Sequence, residues 1–409
     1  MKLLIERYVF ELSRFVSCHP NERVDNLINK INRTTLREIH KQLANKKSKG
    51  LDGISKSEYG IDFRENVGSL LNRISDGSYR PKPLKRVYIP KHGNKKRPLG
   101  IICYEDKLVA SNVAKLLSAI YEPKFMDFSY GFRLNRNCHS AIISLRKIIM
   151  NSSSNYVVES DIKSFFDTID HKWLCKFLQN DIADDRFIGI IKKFLKVGIV
   201  EKGRFTSSNN GTPQGNTISP ILANIYLHYA VDLWFEKCVK RNCSGDSSII
   251  RYADDFVGVF EYRRDAEMFL DGLNYRLQKF SLEISLEKTK MLDIRRPVSF
   301  SFLGLTFVCD KPVVSLCTDE SVLSEKIQNL KMVVQKCRYH SQRKMISRIN
   351  SILIGHYNYY GFSTNIKAML KFRKMVKRTL LEEIDAGSLS INKKVLQYLK
   401  RPKIHIKIY

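Results

Sequence analysis

Apolar residues follow a helical period at both ends of the chain and a strand-like pattern in between. Residues 1–75 repeat apolar positions at helical spacing. Residues 76–102 are rich in β-branched, tyrosine and proline residues around Gly93 and Asn94, which predicts a hairpin with a basic tip. The helical period then returns, and from about residue 320 it continues to the end of the chain.

The middle of the chain predicts a sheet whose strands end in acidic residues. Residues 156–163 form an apolar run around Asp161, and residues 249–260 indicate two strands joined by the Ala-Asp-Asp turn at 253–255. The same patterns predict helices at 105–122, 221–240 and 264–281, and a short hairpin strand at 300–308. Helices combined with antiparallel strands predict the α+β class.

Positive charge is the strongest signal in the composition. The 409 residues contain 70 Lys+Arg and 41 Asp+Glu, a net charge of +29, and residues 321–409 carry 19 Lys+Arg against 4 Asp+Glu. Because such an excess repels itself unless a polyanion neutralises it, nucleic acid is the expected partner, with an anionic membrane surface as the alternative. The last part of the chain is expected to form a basic helical lobe.

Other features of the sequence exclude several classes of protein. No apolar run reaches the roughly 18 residues of a membrane-spanning helix, and the mixed-charge start, MKLLIERYVFELSRF, lacks the features of a signal peptide. The nine cysteines are scattered without a Cys-x-x-Cys pair, so neither a disulfide framework nor a zinc site is expected. A cytoplasmic protein without a membrane segment is therefore expected.

Three aspartates stand where nucleotidyl transfer needs carboxylates. Transfer to a 3′-hydroxyl uses two divalent cations about 3.5–4 Å apart, and such cations prefer carboxylate oxygens. Asp161 ends one predicted strand, while Asp254 and Asp255 join two others. A lone Asp-Asp pair is more often a surface turn, but two adjacent acids between apolar strands repel each other unless a cation bridges them.

Five ordered segments resemble the palm motifs of reverse transcriptases. They are SDIKSFFDTIDH, GTPQGNTISPILANIYL, RYADDFVGVF, LEKTK and FLGL. The pattern is most similar to the group II intron-encoded and intron-like bacterial lineage, which KKSKGLDGIS, SYGFR and HYNYYGF also resemble. The resemblance implies a right-hand architecture: an N-terminal extension and fingers at 1–125, a palm with an antiparallel sheet and finger segments at 126–318, and a basic helical thumb at 319–409.

The resemblance implies roles for the residues around the acidic cluster. Asp161 and Asp254 would hold two Mg²⁺ ions, with Mn²⁺ able to substitute, and Asp255 would complete the site. The carbonyl of Ile162 would be a further ligand. Phe166 would act as a steric gate that favours dNTPs over rNTPs, with simple core packing as the alternative.

Further residues are expected around the incoming nucleotide. In the resembled family, a basic hairpin folds over the triphosphate, and a glycine loop lets the backbone approach the nucleotide. These expectations name Arg97 and Lys95 in the hairpin, Gln214 and Gly215 in the loop, and Lys288. Lys288 or Lys290 would protonate the pyrophosphate leaving group, and the sequence leaves the choice between them open.

The resemblance also implies a surface for the primer and template. A tight turn at Phe302, Leu303 and Gly304 would form the primer grip. Aromatic residues of the HYNYYGF segment would contact an A-form duplex from the basic thumb. They are His356, Tyr357, Tyr359 and Tyr360, of which half are expected to face the thumb core instead.

Three functions are compatible with these motifs: an RNA-directed DNA polymerase, an intron maturase that binds structured RNA, and an RNA-directed RNA polymerase. Phe166 and Ala253 favour a DNA product, because RNA polymerases of this architecture resemble one another in having Gly-Asp-Asp and a smaller or polar gate residue. The expected partners are an RNA template, a DNA primer or cDNA product, and dNTPs.

The expected biological role depends on the segment after HYNYYGF. Mobile intron proteins usually carry a DNA-binding segment and often a His/Cys nuclease there, whereas this segment is short and lacks a Trp- and Arg-rich stretch. We therefore expect a domesticated enzyme that works with a structured noncoding RNA in antiphage defence. The alternative is a group II intron-encoded reverse transcriptase and maturase that binds intron RNA for splicing and mobility.

Overall fold

The names fingers, palm and thumb are kept here for the three parts of the chain that the resemblance predicts. The part predicted as fingers combines N-terminal helices with a small sheet. The computed structural model describes residues 3–45, 48–90, 96–207, 210–213, 215–337, 341–387, 389 and 392–406. The helices of the fingers are α1 Leu4–Cys18, α2 Arg33–Gln42, α3 Lys56–Ile61, α4 Phe63–Ser75 and α5 Tyr104–Tyr121, with a 3₁₀ turn at Ile28–Lys30. Asn32 and Ser55 cap α2 and α3, each in a reciprocal bond with the residue three positions on.

The predicted basic hairpin forms one side of the fingers sheet. Strand β1, Leu84–Pro90, pairs antiparallel with β2, Lys96–Ile101, and the turn expected at Gly93 and Asn94 lies outside the described residues. A second hairpin adds to β1, so that the order becomes β2-β1-β4-β5. It consists of β4 Ile199–Glu201 and β5 Arg204–Thr206. The fingers thus receive a segment from the part of the chain that also builds the palm.

The palm holds four antiparallel strands in the order β6-β7-β3-β8. The strands are β3 Tyr156–Asp161, β6 Ser247–Tyr252, β7 Asp255–Phe260 and β8 Lys290–Asp293. The helices are α6 Cys138–Ile149, α7 Phe165–Thr168, α8 His171–Asp181, α9 Asp185–Leu195, α10 Ser219–Leu227, α11 Lys240–Asn242 and α12 Arg263–Lys279. The helix predicted at 221–240 is less regular than expected, because α10 continues through π-helical turns at His228–Asp232 and Phe235–Val239.

Side chains of the palm strands are buried on both faces of the sheet. Val158, Phe256 and Phe260 belong to the core that includes the fingers helices, whereas Val157 and Val257 belong to the core shared with the thumb. Since successive side chains of a strand point to opposite faces, two adjacent valines fill two different cores. This explains why these strands read as continuous apolar runs, and it places the acidic strand ends on a rigid support.

The thumb follows a three-stranded sheet in the order β11-β10-β9. The strands are β9 Val298–Phe302, β10 Leu305–Asp310 and β11 Val313–Thr318, and the thumb helices are α13 Glu320–Cys337, α14 Gln342–Tyr360 and α15 Ile366–Asp385. Two 3₁₀ segments, Ser363–Asn365 and Lys393–Tyr398, complete it. The helical character predicted for this part is confirmed. None of the helices in the described ranges is both long and apolar enough to cross a membrane.

Candidate active site

The three aspartates that the motifs single out meet at one end of the palm sheet. Asp161 is the last residue of β3 and Asp255 the first residue of β7, and the antiparallel register places them directly opposite each other. Asp254 stands in the turn between β6 and β7. The turn is tight because Ala253 adopts a left-handed conformation with φ of 55°. Strand pairing therefore brings together carboxylates that are far apart in the sequence.

Burial and mutual repulsion set the charge state of this acidic cluster. Burial raises the pKa of Asp254, and burial together with the charges of Asp254 and Asp161 raises the pKa of Asp255 to about 7. Lys288 Nζ donates to Asp161 Oδ2 at 2.7 Å, and this bond raises the pKa of Lys288. The charge of Arg97 in β2 opposes the rise in the pKa of Asp254. The cluster thus attracts cations from both the palm and the fingers.

The two candidate lysines have different neighbours. Lys288 contacts the acidic cluster through Asp161. Lys290 begins β8 and stands opposite Glu159 of β3, where its charge opposes the rise that burial causes in the pKa of Glu159. The geometry therefore favours Lys288 over Lys290 as the lysine that acts at the cluster.

A cavity of about 210 Å³ joins the acidic cluster to the predicted primer grip. Its walls include Asp161, Asp255, Phe302 and Leu303. Leu303 and Gly304 both have positive φ, 51° and 73°, so this segment does form a tight turn between β9 and β10. The ring of Phe302 is buried, whereas Leu303 is half-buried and borders the cavity. The backbone turn, more than the phenylalanine ring, is therefore what this segment offers to a ligand.

Phe165 and Phe166 are adjacent but occupy different environments. Phe165 is buried in the core, as expected. Phe166 is half-buried at the edge of a second cavity, of about 380 Å³, whose walls also include Arg86 and Thr212. The backbone N–H of Thr212 donates to the carbonyl of Phe166 at 2.7 Å. This bond holds the glycine loop against the short helix α7. The gate role of Phe166 stays a prediction, and its place at a cavity wall is compatible with it.

Glycines let this loop approach two other segments closely. Gly211 has φ of 81°, and a Cβ there would stand 2.7 Å from the carbonyl oxygen of Phe166. Gly215 has φ of 103°, and its Cβ would stand 2.4 Å from the carbonyl oxygen of Gly100 in β2. Gln214 and Lys95, also expected at the nucleotide, lie outside the described residues.

The expected nucleic-acid contacts of His356, Tyr357 and Tyr360 need correction. These side chains are only 1%, 2% and 5% exposed, so they pack in the thumb core instead of facing a duplex. The reason is helical spacing: they continue the buried stripe that starts with Met345 and Ile346 on α14. Burial also lowers the pKa of His356 to about 3, which keeps its ring neutral.

Two contacts that the motifs do not reveal hold the turns in place. Tyr359 Oη donates to the carbonyl of Leu303 at 2.9 Å, so α14 supports the primer-grip turn from the thumb. Gly131 lies so close to the turn at Ala253 and Asp254 that a Cβ there would stand 2.4 Å from the nitrogen of Ala253. The glycine of SYGFR is visible in the sequence, but its partner is not, because the contact joins segments far apart in the chain.

Comparison with known proteins decides the family. The family model of reverse transcriptase (RNA-dependent DNA polymerase) matches residues 89–307, which is more than half of the chain. The chain belongs to the reverse transcriptase family. The group II intron-encoded protein LtrA of Lactococcus lactis subsp. cremoris is 36% identical over 92% of this chain and 78% of its own length.

Two further relatives are similar to more than half of the chain. Protein YkfC of Escherichia coli (strain K12) is 31% identical over 62% of this chain and 74% of its own length. The putative COX1/OXI3 intron 1 protein of Saccharomyces cerevisiae is 27% identical over 74% of this chain and 46% of its own length. The resemblance to group II intron-like reverse transcriptases is thereby confirmed, and with it the α+β right-hand fold and the enzyme class, RNA-directed DNA polymerase.

Reverse transcriptases use divalent metal ions, and the acidic cluster has the ligand chemistry for them. Its donors are carboxylate oxygens, which Mg²⁺ prefers, and the ammonium of Lys288 stands against Asp161 as a cation would. In the arrangement seen here, no three His, Cys, Asp or Glu side chains of the described residues converge as a preformed metal centre. Asp161, Asp254 and Asp255 are the residues that would hold the ions.

Proposed function

We propose that this reverse transcriptase synthesises cDNA on an RNA template by nucleotidyl transfer at Asp161, Asp254 and Asp255. The observation that carries the proposal is the strand register that sets Asp161 opposite Asp255, beside the cavity that Lys288 also lines. Two Mg²⁺ ions, with Mn²⁺ able to substitute, supply activation of the primer 3′-hydroxyl and neutralise phosphate charge when bound. The carbonyl of Ile162, next to Asp161, is a further oxygen for them.

Residues around the cluster orient the nucleotide in this proposal. Lys288 is placed at the cluster by its bond to Asp161, and its Nζ carries a proton that the pyrophosphate leaving group can accept. Arg97 contacts the triphosphate from β2, which agrees with its electrostatic effect on Asp254. Phe166 excludes a ribose 2′-hydroxyl from the sugar position.

The remaining nucleotide contacts follow from the resemblance. Gly215 adopts a backbone conformation that lets the loop lie against β2, and Gln214 beside it would hydrogen-bond the sugar or template. Lys95 would join Arg97 at the triphosphate. With these roles, the β1–β2 hairpin and the glycine loop together cover the incoming dNTP.

The thumb supplies charge to the primer–template duplex in this proposal. Lys367, Lys374 and Lys377 are exposed on α15, and exposed lysines bind phosphates in a salt-dependent way. The aromatic residues of α14 support this surface from inside. The primer-grip turn at Leu303, held by Tyr359, then guides the primer end toward the acidic cluster.

A primer-extension assay tests the proposed reaction. Purified protein is mixed with Mg²⁺, four dNTPs and a labelled DNA primer annealed to RNA. We expect extension to the end of the template, its loss with excess EDTA, and little extension when rNTPs replace dNTPs. The same primer on a DNA template of equal sequence measures template preference. No extension on supplied RNA or on RNA that co-purifies with the protein would contradict the proposal.

The biological role is a separate proposal about the RNA partner. Similarity to intron-encoded proteins over most of the chain favours RNA of a group II intron, bound for splicing and mobility. Antiphage defence with a dedicated noncoding RNA, expected from the sequence, stays a prediction. Sequencing the RNA and cDNA that co-purify from cells separates the two: intron sequence supports the first, and an unrelated short structured RNA supports the second.

A further inference from the structure

Arg251 is the largest fully buried side chain among the described residues, and it stands in the strand that leads into the catalytic turn. Its exposed fraction is 0%. It lies in β6, two positions before Ala253. Taking a guanidinium out of water costs several kcal/mol unless its charge is paired and its donors are bonded. The partners of Arg251 therefore show what the residue is for.

Asp232 neutralises the buried guanidinium. Arg251 Nε donates to Asp232 Oδ1 at 2.7 Å, and Nη2 donates to Oδ2 at 2.5 Å, which makes a bidentate pair. Asp232 is also 0% exposed and lies in the π-helical turn after α10. For stability alone, two apolar side chains of similar volume would often serve as well as such a pair. The ion pair by itself does not explain an arginine at this position.

The remaining donors of Arg251 reach the backbone and side chains around the turn. Nη1 donates to the carbonyl of Ala253 and to Asn224 Oδ1, both at 3.1 Å, and Nη2 donates to Ser129 Oγ at 2.8 Å. With the two bonds to Asp232, the five N–H donors of a guanidinium are all used. Lysine, with one point charge, cannot reproduce this planar set.

The bond to Ala253 stabilises a conformation that alanine disfavours. The left-handed φ of 55° costs an alanine about 1–2 kcal/mol. The turn is clamped from its other side by Gly131, whose carbonyl accepts a bond from Asn224 Nδ2 at 2.6 Å. Arg251 and Asn224 thus bond each other and hold both sides of the turn. If the bond to Ala253 is removed, the peptide that precedes Asp254 is free to leave this conformation.

We propose that Arg251 is a positioning residue for nucleotidyl transfer, which fixes the carbonyl of Ala253 and thereby the turn that carries Asp254. Asp232 serves as its counter-charge. The inference rests on the proposed function, because the turn matters for catalysis only if Asp254 takes part in it.

A charge-free replacement of the ion pair separates positioning from stability. The double variant Arg251→Met/Asp232→Leu leaves no unpaired buried charge, so we expect a melting temperature close to that of the wild type. We expect kcat for dNTP incorporation to fall roughly 10- to 100-fold, as for other groups that orient a metal ligand, with KM for dNTP and Kd for primer–template within about twofold. Unchanged kcat in the folded double variant would reduce Arg251 to a structural ion pair.

Arg146→Met is the matched control. Arg146 is another buried arginine, 9% exposed, and its Nε donates to the carbonyl of Val314 at 2.9 Å, away from the turn. We expect this variant to melt at a lower temperature while kcat per folded molecule stays at the wild-type value. A loss of kcat equal to that of the double variant would mean that removal of any buried arginine disturbs catalysis, and would overturn the proposal.

Binding of Mn²⁺ without substrate gives a readout that does not need polymerisation. Electron paramagnetic resonance titration is expected to show Mn²⁺ affinity roughly 10-fold or more weaker in the double variant than in the wild type and in Arg146→Met. If the wild type fails to extend a primer, the proposed function fails, while this comparison still shows whether Arg251 positions the Asp254 turn for a metal ion. Equal Mn²⁺ affinity in all three proteins overturns it.

A second variant covers the case in which the double variant does not fold. Arg251→Lys keeps the charge beside Asp232 but cannot bond Asp232 and the carbonyl of Ala253 together. We expect it to fold, with kcat and Mn²⁺ affinity lowered in the same direction. Wild-type values for both quantities in Arg251→Lys would contradict the proposal.

Discussion

In the palm, carboxylates stand at the ends of two paired strands and line a cavity, whereas in the thumb the ring side chains of α14 are packed inside. Asp254 and Asp255 carry raised pKa values because burial disfavours their charge. His356 carries a lowered pKa for the same reason, but its ring is 1% exposed and packs at a tilt against Phe372, with the ring centroids 4.1 Å apart. A pKa shift caused by burial thus accompanies the candidate site in one lobe and a packed core in the other.

This difference shows that burial alone does not identify a functional residue. The palm carboxylates gather like charges that a cation or a proton relieves, and Lys288 supplies a cation. In the thumb, His356 has a local partner at one ring nitrogen, because Lys326 Nζ lies 3.1 Å from its Nδ1. Chemistry is therefore expected from the palm and electrostatic attraction from the thumb surface. Each of the following experiments tests one side of that division.

The largest effect is expected from the carboxylate at the end of β3. Asp161→Asn removes a charge that stabilises the transition state by several kcal/mol. We therefore expect the rate of dNTP incorporation to fall about 10³-fold or more. Asp167→Asn, an exposed aspartate of the same motif, is the control and should remain within about threefold of wild type. Single-turnover kinetics measures both. Comparable losses in the two variants would break the assignment of chemistry to the strand end.

A smaller effect is expected at the sugar position. Phe166→Ala should raise the use of rNTP relative to dNTP, by roughly 10-fold or more, because the ring no longer excludes the 2′-hydroxyl. The control is Phe165→Leu, which alters a buried neighbour and should lower stability without changing the ratio. Competition between matched rNTP and dNTP measures the ratio. An unchanged ratio in Phe166→Ala would remove the gate assignment.

In the thumb, the exposed lysines of α15 are predicted to contribute more to duplex binding than the buried Tyr357 hydroxyl does. The triple variant Lys367→Gln/Lys374→Gln/Lys377→Gln should weaken primer–template binding roughly 10-fold and reduce the slope of log Kd against log salt by about 2–3. Tyr357→Phe removes a buried hydroxyl that donates to the carbonyl of Lys400 at 3.2 Å and should leave Kd unchanged. Fluorescence anisotropy measures both. Weaker binding by Tyr357→Phe than by the triple variant would make the Tyr357 hydroxyl a duplex contact and contradict its burial.

The smallest effect is on the stability of metal-free protein. The folded pKa of Asp255 is about 7 and its usual value 3.8, so the folded state binds more protons in this window, and stability falls as pH rises through it. Asp255→Asn removes the group, so its melting temperature in EDTA should fall less between pH 5 and pH 8, by on the order of 2–4 °C. Asp310→Asn, at an exposed strand end, controls for loss of charge. Parallel curves of melting temperature against pH for wild type and Asp255→Asn would contradict the raised pKa of Asp255.

Local patterns predicted some of these features, and long-range contacts account for what they missed. The pairing of Asp161 with Asp255 follows from an apolar strand and an Asp-Asp hairpin, both visible along the chain. The burial of Tyr360 was also readable from helical spacing, but the basic, aromatic composition favoured a ligand surface. In contrast, the pairing of Arg251 with Asp232 depends on how β6 packs against the turn after α10, which no local pattern contains.

Positive φ values are also features that the local sequence does not predict. Ala253 and Leu303 are not glycines, so nothing in their identity predicts a left-handed conformation. Both are held by partners from distant segments, Arg251 for Ala253 and Tyr359 for Leu303. The sequence motifs therefore located both turns, while the residues that hold them became evident only from the packing.

The measurement that tests the central claim most directly is single-turnover incorporation of one dNTP by the wild type and by Asp254→Ala/Asp255→Ala on the same primed RNA with saturating Mg²⁺. Primer–template binding is measured in parallel, because the thumb is expected to bind equally well in both proteins. We expect incorporation by the wild type, and none above background by the variant, on supplied RNA and on co-purified RNA alike. Equal incorporation by the two proteins would contradict the assignment of nucleotidyl transfer to this acidic cluster.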